Sequence, residues 1–179
     1  MNCARFILLL AVCLWLAGCA TMTPNECKSA NWGEVGLRDG LEGKALSVLN
    51  DRAKDCADAQ VAVDTPRYLQ GRDQGLVQYC RIENAVPLGL NGKSYDGVCP
   101  PAIDAEFRRR FTAGRDVHVA RNELRTLESR RGAAEERLRN AANDDDRRRA
   151  RDALRDLDAD MRRARDRVRD AEWVLDRLR

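Results

Sequence analysis

The sequence predicts a mainly α-helical protein, in which a small disulfide-stapled helical domain with a Gly-rich loop precedes a long coiled-coil helical hairpin. Three observations support this fold class. Four cysteines and most glycines lie between residues 27 and 101, apolar residues recur at helical spacing in the same region, and heptad-spaced apolar residues fill the rest of the chain. The predicted stapled domain is therefore 27–101, and the predicted coiled-coil tail is 102–179.

The N-terminus has the features of a secretory signal. Arg5 precedes an apolar run from Phe6 to Leu16, which is too short to span a membrane and leads into small residues. The tetrapeptide Leu16-Ala17-Gly18-Cys19 resembles the bacterial lipobox, in which the cysteine is acylated and the preceding peptide bond is cut. The alternative is an ordinary signal peptide followed by a chance cysteine. We expect a lipoprotein signal peptide at 1–18, lipidation at Cys19 and a linker at 19–26.

The residue after the lipobox cysteine bears on the destination of the protein. Ala20 stands where aspartate would retain a lipoprotein in the inner membrane, and by resemblance to the usual sorting rule it directs the protein to the outer membrane. Two or three acyl chains anchor a protein stably, whereas one chain binds only marginally. We therefore expect a lipid-anchored outer-membrane protein that faces the periplasm and contacts the membrane through its N-terminal lipid.

Four cysteines remain once the signal and the lipidated residue are set aside. An even set in an oxidising compartment indicates two disulfides, for which three connectivities exist. The alternatives are a zinc site, for which the sequence has no CxxC pair, and a reactive thiol, for which no cysteine is left over. We predict no metal site, no cofactor and four disulfide-bonded residues: Cys27, Cys56, Cys80 and Cys99.

Two short helices are predicted in the first part of the stapled domain. The stretch Trp32–Gly43 has its glycines on one side, and a second helix is expected from about Ser47, as N-cap, to Cys56. A continuous helix would hold Cys27 and Cys56 roughly 40 Å apart, at about 1.5 Å per residue. Because Gly40 and Gly43 weaken helix continuation, we expect the chain to reverse and these two cysteines to pair.

The third predicted helix contains "YLQGRDQGLVQYC", from Tyr68 to Cys80. Asp64 or Thr65 can cap it, with Pro66 at its first position. Two glycines four residues apart cost about 1 kcal/mol each in a helix interior, so we expect them to allow close helix packing. The predicted helix-packing glycines are Gly36, Gly40, Gly71, Gly75 and, in the tail, Gly114.

A degenerate helical repeat is predicted from three similar stretches. "FTAGRDVHV" from Phe111 aligns with "YLQGRDQGL" from Tyr68 and, more loosely, with "WGEVGLRDGL" from Trp32. The shared aspartates could form a carboxylate cluster, but solvated or ion-paired positions are the favoured interpretation. These aspartates are Asp39, Asp73 and Asp116.

The segment after the third helix is predicted to be a Gly-rich loop. Pro87, Asn91-Gly92 and Asp96-Gly97 signal successive turns, with a small hairpin expected about Asn91-Gly92. Cys80 and Cys99 bracket the loop. A bond between them would contribute on the order of 3 kcal/mol in the chain-entropy model, so we predict this second pairing.

Several of these stretches together resemble a known family. "ECKSANWGEVGLRDGLEG", the cysteine at 56, "YLQGRDQGLVQYC" and "YDGVCP" are similar to the proteobacterial lipoprotein family catalogued as domain of unknown function 2799, over most of Glu26 to His118. The resemblance implies an exported lipoprotein with these four cysteines and these glycines, and no assigned activity. A histidine that commonly precedes the second cysteine in the family is absent here, so the resemblance supplies no metal ligand.

The tail begins with Pro100-Pro101, a natural helix start, and continues as two heptad seams. The seams are out of phase across "NDDDRRR", which favours an antiparallel hairpin turning at Asn143–Asp146 over a single rod. Alanine-rich seams bury little area, so a second protomer or another envelope protein is expected as partner. The seam residues are Val117, Ala120, Leu124, Leu127, Arg131, Ala134, Leu138 and Ala141, then Ala150, Leu154, Leu157, Met161, Ala164, Val168, Ala171, Leu175 and Leu178.

Charge and motif content exclude several functions. The net charge is +3, but acidic residues alternate with the arginines of the tail, which argues against nucleic acid as a partner. The chain has no GxSxG, HExxH or phosphate-binding glycine loop. His118, the single histidine, is expected to be a packed or half-exposed residue. We therefore predict that the protein is not an enzyme.

Two functions remain from the sequence. The favoured one is a non-catalytic structural or protein-interaction component of the cell envelope that assembles through its coiled coil. The alternative is a periplasmic module that binds a small ligand or glycan, with hydrolysis as an option, through the Gly-rich loop and Tyr79, Tyr95 and Asp96. A cleft beside Tyr95 with converging carboxylates would favour the alternative.

Overall fold

The computed structural model describes residues 21–178, and over this range the protein is helical without a β-strand. The mainly α fold class is thereby confirmed. The predicted signal peptide and the lipidation site Cys19 lie outside the described residues. None of the described helices is long and apolar enough to cross a membrane. The helices are α1 (Pro24–Ser29), α2 (Trp32–Leu41), α3 (Ser47–Asp58), α4 (Thr65–Tyr79), α5 (Ile82–Leu90), α6 (Pro101–Arg139) and α7 (Asp144–Asp176).

The chain divides into two compact units between Tyr79 and Cys80. The N-terminal unit, described from residue 21, holds α1 to α4, and the C-terminal unit holds α5 to α7. This division lies earlier in the chain than the boundary at 101/102 expected from composition. The reason is that α5 packs on α6, so the segment closed by the second disulfide belongs with the tail.

The N-terminal unit is built around a close crossing of α2 and α4. A Cβ added at Gly75 would lie 2.6 Å from the backbone nitrogen of Leu41, and one at Gly71 would lie 2.9 Å from that of Leu37. On the opposite helix, a Cβ at Gly40 would lie 3.0 Å from the Cα of Gly75. Since the obstructing atoms are backbone atoms, side chains cannot move aside, and glycine is required for this approach.

The first disulfide connects α1 and α3 beside this crossing. It joins Cys27 to Cys56, as predicted, with Cα atoms 5.4 Å apart. Helix α1 was not predicted, although Thr23 and Glu26 form a capping box whose sequence signature is readable. In α3, Ser47 is the first helical residue rather than the predicted N-cap, which is Leu46. The core of the unit consists of Met22, Cys27, Trp32, Val35, Cys56 and Tyr68.

The C-terminal unit begins with a helix where the sequence analysis predicted a Gly-rich loop. Helix α5 contains Pro87, but this residue is exposed, so the carbonyl that loses its N–H partner can be hydrated. Packing on α6 outweighs the local turn signals, because a Cβ at Gly89 would lie 2.6 Å from the backbone nitrogen of Arg115. Asn91-Gly92 ends α5 instead of forming a hairpin, with Gly92 at φ 67°.

Both units contain the same helix-pair motif. Helix α2 ends in "GLEGK" and α5 ends in "GLNGK"; in both, the second glycine has positive φ and bonds back to the first. The crossing partner of Gly40 is Gly75, and the crossing partner of Gly89 is Gly114. The predicted repeat register, which aligned Gly71 with Gly114, is therefore wrong by one helical turn. Local sequence similarity aligned Arg72-Asp73 with Arg115-Asp116. In the structure, the equivalent positions are the glycines at which the helices cross, Gly75 and Gly114.

Helices α6 and α7 form the predicted antiparallel hairpin. The turn occupies 140–143, slightly before the predicted Asn143–Asp146, because Asn143 caps α7 and three aspartates occupy its first turn. Arg121 contacts Glu172 at 2.6 Å, across the two helices. A single rod is excluded by this contact between distant sequence positions. Buried seam residues between the helices include Val117, Leu127, Ala134, Ala150, Met161, Ala164 and Leu175.

Candidate functional site

A buried ion-pair cluster lies between α2, α3 and α4 in the N-terminal unit. The carboxylate of Asp39 is fully buried and accepts hydrogen bonds from Arg52 Nε at 2.9 Å and Arg52 Nη2 at 2.7 Å. Tyr68 Oη also donates to this carboxylate, at 2.9 Å. Arg52 itself is only 7% exposed. A buried charge pair of this kind needs its full set of hydrogen bonds, and Asp39 has them.

Two further cations extend the cluster toward the C-terminal end of α2. Lys44 Nζ lies 3.2 Å from Asp39 Oδ1, and it also contacts Glu42 at 2.7 Å. Arg72 donates from Nη2 to the backbone carbonyl of Lys44 at 2.8 Å. The Arg72 side chain is buried, and its Nε has no hydrogen-bond partner. The cluster therefore places more cationic than anionic groups around one buried carboxylate.

The surroundings fix the protonation states of the cluster. Burial raises the pKa of Asp39, but the hydrogen bonds from Arg52, Tyr68 and Lys44 together lower it by more than burial raises it. The net pKa therefore lies below its ordinary value. Burial, together with the hydrogen bond to Asp39, raises the pKa of Tyr68 to about 12. Asp39 therefore remains a carboxylate and Tyr68 a phenol at neutral pH. Neither group is suited to proton transfer at neutral pH.

The repeated helix pair shows that the fold itself does not require these charges. In the C-terminal unit, the glycine crossing matches Asp39 with Leu88, Tyr68 with Phe107 and Arg72 with Phe111. The second helix pair therefore packs the same geometry with apolar side chains. The charged cluster is a specific feature of the first helix pair and the strongest candidate site in the described chain.

A cavity of about 500 Å³ opens beside the cluster. Its wall includes the buried Arg52, the half-buried Lys44 and the exposed Arg38, together with the carboxylates of Glu26 and Glu34. The remaining wall comes from the start of the described chain, at Thr21 and Met22, and from residues 29–31 and Val35. This composition gives the cavity both cationic and anionic groups, which suits a ligand that carries both charges.

The disulfide and glycine residues predicted from the sequence serve the fold. The second disulfide joins Cys80 to Cys99, with Cα atoms 5.6 Å apart, as predicted. Gly36, Gly40, Gly71 and Gly75 meet at the first crossing, and Gly114 lies in the second. Gly89, its crossing partner, was missed because its segment was assigned to a loop. The signal that could have found it is the recurrence of "GLxGK" at 40–44 and 89–93.

The residues considered for catalysis or ligand binding have structural contacts. His118 Nδ1 donates to the Leu90 carbonyl oxygen at 2.9 Å, and its Nε2 accepts from Asn122 at 2.7 Å. The Tyr95 hydroxyl donates to Asp104 and accepts from the Cys99 N–H, while its ring packs on Phe107. This arrangement gives His118 and Tyr95 the role of fixing the ends of α5 and α6.

The suggested carboxylate cluster does not form within the N-terminal unit. Asp39 is buried and ion-paired, as favoured, whereas Asp73 is exposed on α4. Asp116 is exposed on α6 in the other unit. Sequence reasoning missed Arg52, the main partner of Asp39. A usable signal was its position four residues before Cys56, which places both side chains on the same face of α3.

Within residues 21–178, no group of three or more His, Cys, Asp or Glu side chains is arranged to hold a metal ion. No curated protein sequence and no solved structure matches the chain significantly. Residues 31–116 match the model of the family described as protein of unknown function (DUF2799). The matched stretch starts at the N-cap of α2 and includes both glycine crossings and the ion-pair cluster. Over residues 31–116, slightly less than half of the chain, the protein is therefore similar to the DUF2799 family.

Proposed function

We propose that the protein is a lipid-anchored, non-catalytic component of the outer membrane, facing the periplasm, whose helical hairpin binds a second protomer or another envelope protein. The observation that carries the proposal is the distal part of the hairpin, residues 124–164, which we call the arm. The arm continues beyond the part of α6 that α5 covers, and it has its own small core.

The core of the arm follows coiled-coil spacing but is thin. Leu127, Met161 and Ala164 are buried, with Leu124 and Leu157 packed against them. Toward the turn, the buried residues of the two helices are Ala134 and Ala150. Knobs-into-holes seams stabilise helix pairs through the size of their a and d residues, so this end of the arm gains stability from an added helix.

A cavity of about 540 Å³ lies at the turn of the hairpin. Its apolar wall consists of five alanines, and its polar wall of Arg137, Asn140, Asp146 and Arg149. A cavity lined by small apolar residues leaves space for larger side chains from a partner helix. The alanines are Ala134, Ala141, Ala142, Ala150 and Ala153.

The proposal of a non-catalytic role is supported by the contacts of the reactive side chains. Asp39 is ion-paired, and the single histidine and Tyr95 hold helix ends together. The alternative ligand site required Tyr79, Tyr95 and Asp96 to converge. Tyr79 instead packs its ring on Gly43, where a Cβ would lie 2.6 Å from Tyr79 Cε1, and Asp96 is exposed.

Photo-crosslinking in the intact envelope tests the role of the arm. A photoreactive amino acid at Ala153, which is exposed and lines the cavity, should give a discrete adduct whose partner is identified by mass spectrometry. The matched control is the same amino acid at Gln74, an exposed position of α4. Equal adducts from both positions, or none from Ala153, would contradict an interaction through the arm.

The anchor is tested separately at Cys19. In cells, Cys19→Ser should leave an uncleaved precursor without acyl label, because acylation precedes cleavage at a lipobox. The control is Cys13→Ser, which changes a cysteine inside the predicted signal and should leave labelling intact. Continued palmitate labelling of the Cys19→Ser protein would refute the assignment.

A further inference from the structure

We infer that the cavity beside the ion-pair cluster binds the headgroup of a membrane phospholipid that carries both a phosphate and an ammonium, as phosphoethanolamine does. The inference rests on the proposed lipid anchor and goes beyond it, since it names a specific lipid contact of the folded domain. The headgroup site, as we call it, consists of Glu34, Arg38, Lys44 and Arg52 with Thr21 and Met22.

The path of the chain brings this site to the bilayer surface. Asp55 accepts hydrogen bonds from the Thr21 N–H at 2.6 Å and from Thr21 Oγ1 at 2.7 Å, and the Met22 side chain is buried in the core. The folded domain therefore holds the chain by hydrogen bonds at Thr21, two residues after Cys19. Two residues span at most about 7 Å when extended. If Cys19 is acylated, the cavity wall formed by Thr21 and Met22 must lie at headgroup level.

The cationic side of the site fits a phosphate. Arg52 is held in place by Asp39, and its Nη1 points to the Thr21 carbonyl at 3.5 Å, so its position is fixed at the cavity wall. Arg38 is exposed on α2, and no described carboxylate lies within salt-bridge distance of it. Guanidinium groups bind phosphate oxygens through paired, charge-assisted hydrogen bonds.

The anionic side of the site fits an ammonium. Glu34 lies one helical turn before Arg38, is exposed and lines the same cavity. Glu26 also lines it, and its Oε2 accepts the two capping-box hydrogen bonds from the Thr23 N–H and Oγ1. A phosphate alone would be repelled by Glu34, whereas a headgroup with an ammonium next to its phosphate satisfies both charges.

The second helix pair provides the argument against a purely structural role. There, Leu88, Phe107 and Phe111 occupy the positions of Asp39, Tyr68 and Arg72, and the same crossing forms without buried ions. Burying an ion pair is costly compared with apolar packing. Its presence only in the unit that carries the anchor is explained if Asp39 positions Arg52 for a ligand.

The test uses full-length, acylated protein in phosphatidylcholine nanodiscs, with phosphatidylethanolamine or phosphatidylglycerol added. Native mass spectrometry of the released protein should show preferential retention of phosphatidylethanolamine. Arg38→Gln should weaken retention roughly tenfold or more, as expected for the loss of a charge-assisted hydrogen bond. Glu34→Gln should reduce phosphatidylethanolamine retention to the level of phosphatidylglycerol. Arg151→Gln, at an exposed arginine of α7, is the matched control and should change nothing.

The outcomes separate this inference from the proposed anchor, because the mass of the N-terminal peptide reports acylation independently. Acylated protein that retains all three lipids equally would overturn the headgroup site and leave the anchor standing. Protein without acyl chains would overturn the anchor, and titration of that protein with glycerophosphoethanolamine then decides the site. Binding that Arg38→Gln abolishes would support the site, and absence of binding would overturn it.

Discussion

At the scale of single residues, the glycines of this chain have opposite roles. Gly75 lies where helix backbones touch, and a Cβ there would meet Leu41 N at 2.6 Å. Gly132, in the middle of α6, has nothing within 4 Å of the position of an added Cβ. The same residue type is thus required at one position and only costs helix propensity at the other.

This contrast gives the first prediction. Gly75→Ala should lower the free energy of unfolding by about 1–3 kcal/mol or more, the usual cost of overpacking. Gly132→Ala should raise it by about 0.5–1 kcal/mol, since alanine is the better helix former. Denaturant unfolding of both variants measures the two changes. A stabilising Gly75→Ala would show that the helix crossing is looser than described.

The second prediction concerns the buried ion pair. Asp39→Leu leaves Arg52 buried without its partner and should cost about 3–5 kcal/mol. The double change Asp39→Leu/Arg52→Met removes both charges and should recover most of this loss, because it approaches the apolar packing of the second helix pair. If the double variant loses as much free energy of unfolding as Asp39→Leu and Arg52→Met lose in sum, the interaction between the two side chains contributes little to stability.

The third prediction is a dependence of stability on pH. The pKa of Asp39 is lower in the folded protein than in the unfolded chain, so the folded state binds fewer protons in acid. Its contribution is present above about pH 4, the unfolded value, and is lost as the pH falls through the folded value. Asp39→Asn should therefore flatten the fall in stability below about pH 4. If the Asp39→Asn protein loses stability in acid as steeply as the unchanged protein, Asp39 does not contribute in this way.

At the scale of helices, periodicity and capping predicted the elements whose local signals agree with their packing. Helices α2, α3, α4 and the hairpin were predicted from the spacing of apolar residues, from helix-breaking glycines and from the change of heptad phase in the tail. Helix α5 was not, because Pro87, Asn91 and the glycines are turn residues. Contacts from outside the helix stabilise it, namely its packing on α6, the neighbouring disulfide and its contacts with the end of α7. The ion-pair cluster was not predictable for a similar reason, since Asp39 and Arg52 meet only after α2 and α3 fold together.

The fourth prediction concerns α5, which depends on tertiary contacts and on its disulfide. Replacing Cys80 and Cys99 with serine should lower the free energy of unfolding by about 3 kcal/mol in the chain-entropy model. Hydrogen exchange should rise first in α5, whose own sequence favours turns, and less in α6. Uniform exchange across both helices would show that the bond stabilises the unit as a whole instead.

At the scale of the whole molecule, the chain consists of two units with related helix pairs. In the second unit, the hairpin brings the C-terminal end of α7 back to the pair formed by α5 and α6. Leu175 and Leu178 pack in one cluster with Val117, and Val86 and Leu90 of α5 join them. The end of α7 therefore completes the core next to α5.

The fifth prediction tests this return of the chain. Spin labels introduced as non-natural amino acids at positions 121 and 177 leave the disulfides intact and should lie within roughly 20 Å, since antiparallel helices pack about 8–10 Å apart. A continuous helix would separate them by about 84 Å, at about 1.5 Å per residue. Pulsed electron spin resonance distinguishes the two distances, and a long distance would favour a parallel rod.

The connectivity of the disulfides has a consequence for biogenesis. Each bond joins neighbouring cysteines of the four, Cys27 to Cys56 and Cys80 to Cys99, and each stays within one unit. If the chain is exported as proposed, Cys27 and Cys80 each emerge from the translocation pore before their partner, and in both cases that partner is the next cysteine to follow. An oxidase acting in order of emergence forms both native bonds without shuffling, so cells that lack a disulfide isomerase should still produce the oxidised protein.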